Sequence, residues 1–135
     1  MPAELIPNID NVDITSKNSR ESLARMVTKL FDHWGIPSTD QCSLLGLSPT
    51  SRMTLSRYRK GSSLDNNVDL LGRVGHLLGI HKSLRIMYPY NRELVYRWVT
   101  APNQRFDGKT PLEIMCHGYE GLLAVRRYLD FERGR

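Results

Sequence analysis

Apolar residues recur along most of this chain at intervals of three and four, which places them on one face of an α-helix. In residues 23–34 the steps between apolar residues are three, one, three, one and three. This spacing predicts an amphipathic helix that Ser19 or Ser22 caps and that Gly35 ends. No segment alternates apolar and polar residues over a useful length, so the pattern predicts an all-α fold of about seven or eight helices.

Two short helices are predicted next, on either side of a turn at Gly46. The first covers residues 38–45. The second ends near Lys60, and the sequence leaves its start open between a cap at Ser48 and a cap at Ser51. The pair has the length and the central glycine of a helix–turn–helix.

A fourth helix is predicted over residues 64–80, followed by a short apolar piece over 84–87. Three glycines weaken this helix by about 1 kcal/mol each relative to alanine. We expect Gly72, Gly75 and Gly79 to lie where another helix packs closely.

The remaining chain predicts three further helical pieces. One apolar helical face lies within residues 94–99. Thr110, Pro111 and Glu113 have the order of a capping box with proline at the first helical position, so a short helix starts there. The last helix covers residues 122–131, and a charged tail follows it.

Charge is distributed unevenly along the 135 residues, whose formal net charge is +5. Residues 1–16 contain three acidic residues and no Lys or Arg, which predicts a mobile acidic arm over residues 1–17. Between Asp40 and Asp65 every charged residue is basic. This excess favours a polyanionic partner, although a merely solvated surface would give the same run.

The basic run coincides with the predicted helix–turn–helix, whose second helix would enter a DNA major groove. Leu55 and Tyr58 share its inner face. Side chains on the outer face and its edges are candidates to read bases or hold phosphates. The candidate DNA-binding residues are Arg52, Thr54, Ser56, Arg57, Arg59 and Lys60.

Catalytic and metal-binding motifs are not found in this sequence. The four histidines are widely spaced, and the adjacent Cys116 and His117 would point about 100° apart on a helix. No phosphate-binding glycine loop is present, so we expect neither enzymatic activity nor a cofactor. Two cysteines exclude a disulfide framework, and Cys42 is expected in the core. With no secretory signal and no spanning segment, a cytoplasmic protein is expected.

Two stretches resemble the Xre/MbcA/ParS family of antitoxins. The run LLGLSPTSRMTLSRYRKGSSL resembles the family's Xre-like helix–turn–helix, with a longer turn around Pro49. The run RWVTAPNQRFDGKTPLEIMCHGYEGLLAVRRYL resembles its toxin-binding domain. The positions that match the second motif are Trp98, Pro102, Asn103, Phe106, Gly108, Pro111, Leu112, Gly118, Val125 and Leu129.

The resemblance implies the antitoxin of a bacterial type II toxin–antitoxin module. One implied partner is a RES-domain toxin, which degrades NAD and whose active site the antitoxin blocks. The other is the operator DNA of the antitoxin's own operon, which the antitoxin represses as a homodimer. The implied domains are a helix–turn–helix domain over residues 18–88 and a toxin-binding domain over 89–135.

An NAD site accepts an anionic pyrophosphate, so guanidinium groups near the C-terminus are candidates to occupy it. Tyr128 and Phe131 are candidate apolar anchors, although Tyr128 is also a candidate core residue. Trp98 is expected to be a core residue. It would support a platform from which exposed charged neighbours contact the toxin. The candidate toxin-binding residues are Arg105, Lys109, Glu120, Arg126, Arg127, Arg133 and Arg135.

The sequence is also compatible with two other functions. One is a stand-alone helix–turn–helix regulator whose C-terminal domain dimerises. The other is a protein-interaction module in which the helix–turn–helix no longer binds DNA.

Overall fold

A computed structural model describes residues 13–135, and every regular element in that range is helical. The α-helices are α1 (Lys17–Trp34), α2 (Ser38–Leu44), α3 (Arg52–Arg59), α4 (Val68–Met87), α5 (Arg92–Arg97), α6 (Pro111–Met115) and α7 (Gly118–Arg133). Short 3-10 helices cover Trp98–Thr100 and Gln104–Phe106. The predicted all-α class is confirmed. Most of the predicted acidic arm, residues 1–12, lies outside the described residues.

Helix α1 begins earlier than the sequence pattern predicted. Ser16, rather than Ser19 or Ser22, is the N-cap, and its hydroxyl accepts a hydrogen bond from the Ser19 backbone N–H at 3.2 Å. The apolar period does not show this start because the first helical turn carries mostly polar residues. The end is as predicted, with Gly35 in the left-handed conformation at φ 66°.

Helix α4 is one continuous helix of 20 residues rather than a helix followed by a separate apolar piece. Asn67 caps it by accepting a hydrogen bond from the Leu70 N–H at 3.0 Å. Residues 64–66, predicted as helix, precede this cap. The helix continues to Met87 because its buried face packs along α7.

Two of the three α4 glycines lie where another helix comes close, as predicted. A Cβ at Gly72 would lie 2.6 Å from the Tyr119 hydroxyl oxygen. The guanidinium of Arg126 fills the space above Gly79. The prediction is wrong for Gly75, since a Cβ there would have no heavy atom within 4 Å.

The buried apolar side chains form one cluster that extends through both halves of the described chain. The most extensive packing joins α4 to α7, and α1 packs on both α3 and α4. Leu77, Leu84, Leu122 and Leu129 are all fully buried. The boundary predicted at residue 89 stays a prediction, but α4 supplies core side chains to the elements on both sides of it.

The C-terminal end departs from the predicted charged tail. Helix α7 extends through Glu132 and Arg133, so Arg126, Arg127 and Arg133 lie on a helix, whereas Arg135 follows its end. Upstream of α7, the predicted capping box is confirmed: Glu113 N–H donates to the Thr110 hydroxyl at 3.1 Å, and Thr110 N–H donates to the Glu113 carboxylate at 3.4 Å.

Candidate functional site

The turn between α2 and α3 is closed by a glycine in the left-handed conformation. Gly46 has φ 72°, and its N–H donates to the Ser43 carbonyl at 3.0 Å. The Leu47 N–H donates to the Cys42 carbonyl at 2.8 Å. These two bonds make a Schellman motif, which satisfies carbonyls at the end of α2 and redirects the chain toward α3. The structure places the start of α3 after Ser51, the second of the two predicted caps.

Helix α3 has one buried and one exposed face. Leu55 and Tyr58 are buried on its inner side, as predicted. Met53 is 84% exposed, which places an apolar side chain among the polar ones on the outer face. Of the candidate DNA-binding residues, Thr54 is half-buried, and the exposed ones are Arg52, Ser56, Arg57, Arg59 and Lys60.

Arg59 differs from the other basic residues of α3 because it is bound within the protein. Its guanidinium pairs with the Asp32 carboxylate of α1 and donates to the Gln41 side-chain oxygen of α2 at 2.9 Å. Gln41 is buried, and its amide donates in turn to the Ile36 carbonyl at 2.9 Å. Arg59 therefore connects α3 to the two helices that support it.

Three other basic side chains, two on α3 and one directly after it, are available to a partner. Within residues 13–135, no carboxylate lies within 4 Å of Arg52, Arg57 or Lys60. The Arg57 guanidinium lies 3.5 Å from the Thr54 hydroxyl, so these two side chains are neighbours on the exposed surface. This surface presents positive charge that no acidic residue of the described chain neutralises locally.

A second surface is built on an aromatic cluster of Trp98, Phe106 and Tyr128. The Trp98 and Tyr128 rings stack with centroids 6.4 Å apart, and Phe106 meets Tyr128 edge-on at 5.2 Å. Trp98 is buried, as predicted, whereas Tyr128 is half-buried. The cluster holds the loop of residues 103–109 against α7.

The loop of residues 103–109 closes on itself through backbone bonds. The Asn103 N–H donates to the Lys109 carbonyl and the Gly108 N–H donates to the Asn103 carbonyl, each at 3.0 Å. Asp107 and Gly108 both take positive φ, at 57° and 82°. The exposed Arg105 and Lys109 are thus carried by an ordered loop rather than by an extended segment.

The candidate toxin-binding residues of α7 fall into two groups. Glu120, Arg127 and Arg133 are exposed. Arg126 is held between α7 and α4, where its guanidinium donates to the Gly75 carbonyl at 3.4 Å and pairs with Asp130 at 3.3 Å. These contacts assign Arg126 a part in holding the two helices together.

Phe131 and Arg133 in the last turn of α7, together with Arg135 two residues beyond it, form a group that we call the exposed end of α7. The Phe131 side chain is 68% exposed, and the Arg135 guanidinium lies 6.0 Å from its ring centroid. Arg133 reaches Asp130 at 3.9 Å and Arg135 reaches Glu132 at 3.2 Å. Such surface ion pairs contribute about 0–1 kcal/mol, so a partner carboxylate or phosphate displaces them at little cost.

Asp130 is a residue that the sequence pattern did not single out. Its carboxylate accepts a hydrogen bond from the buried Ser83 hydroxyl of α4 at 3.4 Å and lies beside Arg126 and Arg133. The only sequence signal was its i,i+4 spacing from Arg126, which is common on exposed helices.

The adjacent Cys116 and His117 are not arranged as a nucleophile and its base. His117 Nδ1 lies 2.7 Å from the Glu113 carbonyl oxygen. Burial raises the pKa of the Cys116 thiol, and it also raises the pKa of Cys42, which is fully buried in the core as predicted. A raised pKa disfavours the thiolate that a nucleophilic cysteine requires.

Two further observations concern residues 13–135 as a whole. They bring together no group of three or more His, Cys, Asp and Glu side chains that could hold a metal ion. None of their helices combines the length and apolar character needed to cross a bilayer.

Comparison with known proteins identifies the C-terminal part of the chain. Residues 83–135 match the family described as the antitoxin Xre/MbcA/ParS C-terminal toxin-binding domain. The chain is also similar to the uncharacterized protein y4oB of Sinorhizobium fredii (strain NBRC 101917 / NGR234), with 37% identity over 108 residues that span 78% of this chain and 80% of that protein. The matched region contains α5–α7, the aromatic cluster and the exposed end of α7. The chain therefore belongs to the Xre/MbcA/ParS antitoxin family and carries its toxin-binding domain.

Proposed function

We propose that this antitoxin inhibits a RES-domain toxin by covering its NAD site, and that it binds operator DNA through α3 to repress its own operon. In this proposal the protein acts in the bacterial cytoplasm as a homodimer and has no catalytic activity of its own. The observation that carries the proposal is the presence of two separate exposed basic surfaces, of which one lies within the toxin-binding domain.

The toxin-facing surface is assigned to the exposed end of α7. Phe131 is exposed although it is large and apolar, and Arg133 and Arg135 stand beside it. Aromatic and arginine side chains dominate many binding hot spots, and guanidinium groups match the charge of a pocket that accepts a pyrophosphate. The loop of residues 103–109 supplies Arg105 and Lys109, while Glu120 and Arg127 extend the surface along α7.

The DNA-facing surface is assigned to the outer side of α3. Arg57 with Thr54 and Ser56 is the group proposed to meet base edges, and Arg52 and Lys60 are proposed to hold phosphates. Arg59, which is tied to Asp32 and Gln41, orients α3 rather than reading sequence. The wider turn of residues 45–51 sets the angle at which α3 would enter the groove.

Replacing Arg57 with alanine is expected to weaken binding to the promoter DNA upstream of this gene by about 1–3 kcal/mol and to relax sequence preference, because a paired base contact is lost. Gel-shift titration at fixed salt measures both effects. Arg127→Ala, which removes an exposed arginine from α7, is the matched control and should leave DNA binding unchanged. Equal affinity of the Arg57→Ala and unaltered proteins would contradict the assignment.

Ending the chain after Asp130 is expected to abolish protection from the toxin while leaving the fold and DNA binding intact. This end point removes Phe131, Arg133 and Arg135 but keeps the Asp130 contacts to α4. The assay is NAD consumption by the toxin encoded beside this gene, which the proposal expects to be a RES-domain protein, and inhibition is expected to weaken by at least about tenfold, or 1.4 kcal/mol. Arg57→Ala serves as the reciprocal control and should inhibit fully.

Full inhibition by the shortened chain would show that the toxin does not bind at the end of α7. A neighbouring toxin of another class would contradict the RES assignment. DNA binding with no effect of the unaltered chain on any neighbouring toxin would favour the stand-alone regulator, in which the C-terminal domain only dimerises.

A further inference from the structure

A cleft lies between the end of α4 and helix α5, away from the residues assigned to either proposed surface. It has a volume of about 580 Å³, which falls within the range of about 300–1,000 Å³ typical of small-molecule sites. Its lining consists of Lys82, Arg85, Ile86, Tyr88, Pro89, Arg92, Val95 and Tyr96. Three of these residues carry positive charge, and none carries negative charge.

The three cations of the cleft are not neutralised within the described chain. Lys82, Arg85 and Arg92 are all exposed, and no carboxylate of residues 13–135 lies within 4 Å of them. Glu93, the nearest acidic residue in sequence, instead pairs with Arg97 at 2.9 Å. Arg92 stands at the start of α5, where the helix dipole disfavours a cation, so helix stability does not explain its placement.

The walls of the cleft are aromatic and apolar, and one of them is firmly supported. Tyr96 stacks on His33 of α1 with ring centroids 4.5 Å apart and on His81 of α4 at 5.3 Å. The Arg92 guanidinium lies 5.6 Å from the centroid of the same ring. Ile86, although apolar, is 51% exposed on the side of the cleft.

This combination favours a small ligand that joins phosphates to a flat apolar group. Three cations from two helices match the repeated charges of a diphosphate, and arginine binds phosphate through two parallel hydrogen bonds. The tyrosine, proline and isoleucine walls suit a base or a ribose. A duplex backbone is convex and presents its phosphates to a surface, so a concave site with apolar walls fits it less well.

We propose that the cleft between α4 and α5 binds a nucleoside diphosphate or a related nucleotide that contains a pyrophosphate. The proposal does not rest on the toxin or operator assignments, since none of their residues lines this cleft.

Isothermal titration of the full chain with ADP at low ionic strength tests the proposal. Saturable one-site binding with a Kd of about 1 mM or tighter is expected. The double variant Arg85→Gln/Arg92→Gln is expected to bind at least about tenfold more weakly. The charge-matched control Lys17→Gln/Lys29→Gln changes two exposed lysines of α1 outside the cleft and should bind as the unaltered chain does. Circular dichroism melting verifies that both variants fold.

Further titrations separate the possible sources of a signal. Adenosine should bind more weakly than ADP, and inorganic pyrophosphate should compete with ADP. Equal weakening by the control variant would reduce the effect to general electrostatics and overturn the proposal. The proposal also fails if ADP does not bind. If, in addition, the double variant binds a duplex of random sequence more weakly while the control variant does not, the cleft residues contact nucleic acid instead.

Discussion

Replacing Trp98 with alanine is expected to lower the free energy of unfolding by about 3–5 kcal/mol. Trp98 is 9% exposed and packs against the Phe106 and Tyr128 rings. Its removal leaves a cavity under both rings and frees the loop of residues 103–109 from α7. Urea denaturation gives the free energy, and amide hydrogen exchange of the loop reports the local release.

The matched control for Trp98 is Tyr90, an aromatic residue that is fully exposed. Tyr90→Ala should change stability by no more than about 0.5 kcal/mol, as for most surface positions. If the Trp98→Ala protein lost less than about 1 kcal/mol, the aromatic cluster would not be part of the core as described.

Replacing Gly121 with alanine is expected to destabilise the protein by about 1–3 kcal/mol, a typical penalty for overpacking. Helix propensity alone would predict the opposite, since alanine stabilises a helix interior by about 1 kcal/mol relative to glycine. The sign reverses because a Cβ at Gly121 would overlap the backbone carbonyl oxygen of Ile114, which cannot move without separating α6 from α7.

Gly75 provides the comparison within the same fold. It lies inside helix α4, is exposed, and has no heavy atom within 4 Å of a Cβ built on it. Gly75→Ala should therefore stabilise the protein by about 0.5–1 kcal/mol. Thermal unfolding of the two variants should shift in opposite directions, and shifts of the same sign would contradict the close contact between α6 and α7.

The local features of the fold were predictable from sequence because their causes lie within a few residues. Gly35 and Gly46 take the left-handed conformation at helix ends, and Thr110 forms its capping box with Glu113. The inner face of α3 followed from the spacing of Leu55 and Tyr58. Each of these predictions depended only on residues that lie close together in the sequence.

Features that depend on distant partners were not predictable in the same way. The sequence pattern did not show that α4 continues beyond Ile80 to Met87, and the helix it packs on, α7, begins more than thirty residues after α4 ends. Arg59 meets Asp32 across 27 residues, and Arg126 meets Gly75 across 51. Sequence could place these arginines on a basic surface, but it could not show that their guanidinium groups are used inside the protein.

The α4–α5 cleft likewise depends on contacts between distant parts of the chain. Lys82, Arg85 and Arg92 belong to a stretch between Asp69 and Glu93 in which every charged residue is basic, but the sequence does not show that these three side chains meet. Only the fold brings them to one concavity whose tyrosine wall is supported by His33 of α1.

The fit of α4 against α7 has a consequence for chimaeras made from members of this family. The family match begins at residue 83, inside α4, so a graft joined there would place a foreign α7 on residues 68–82 of the host's α4. Gly72 accommodates Tyr119 and Gly79 accommodates Arg126, and an unrelated α4 with larger side chains at these positions would collide with both. A transplant that preserves the interface must therefore begin before Val68, so that both helices are inherited as a pair.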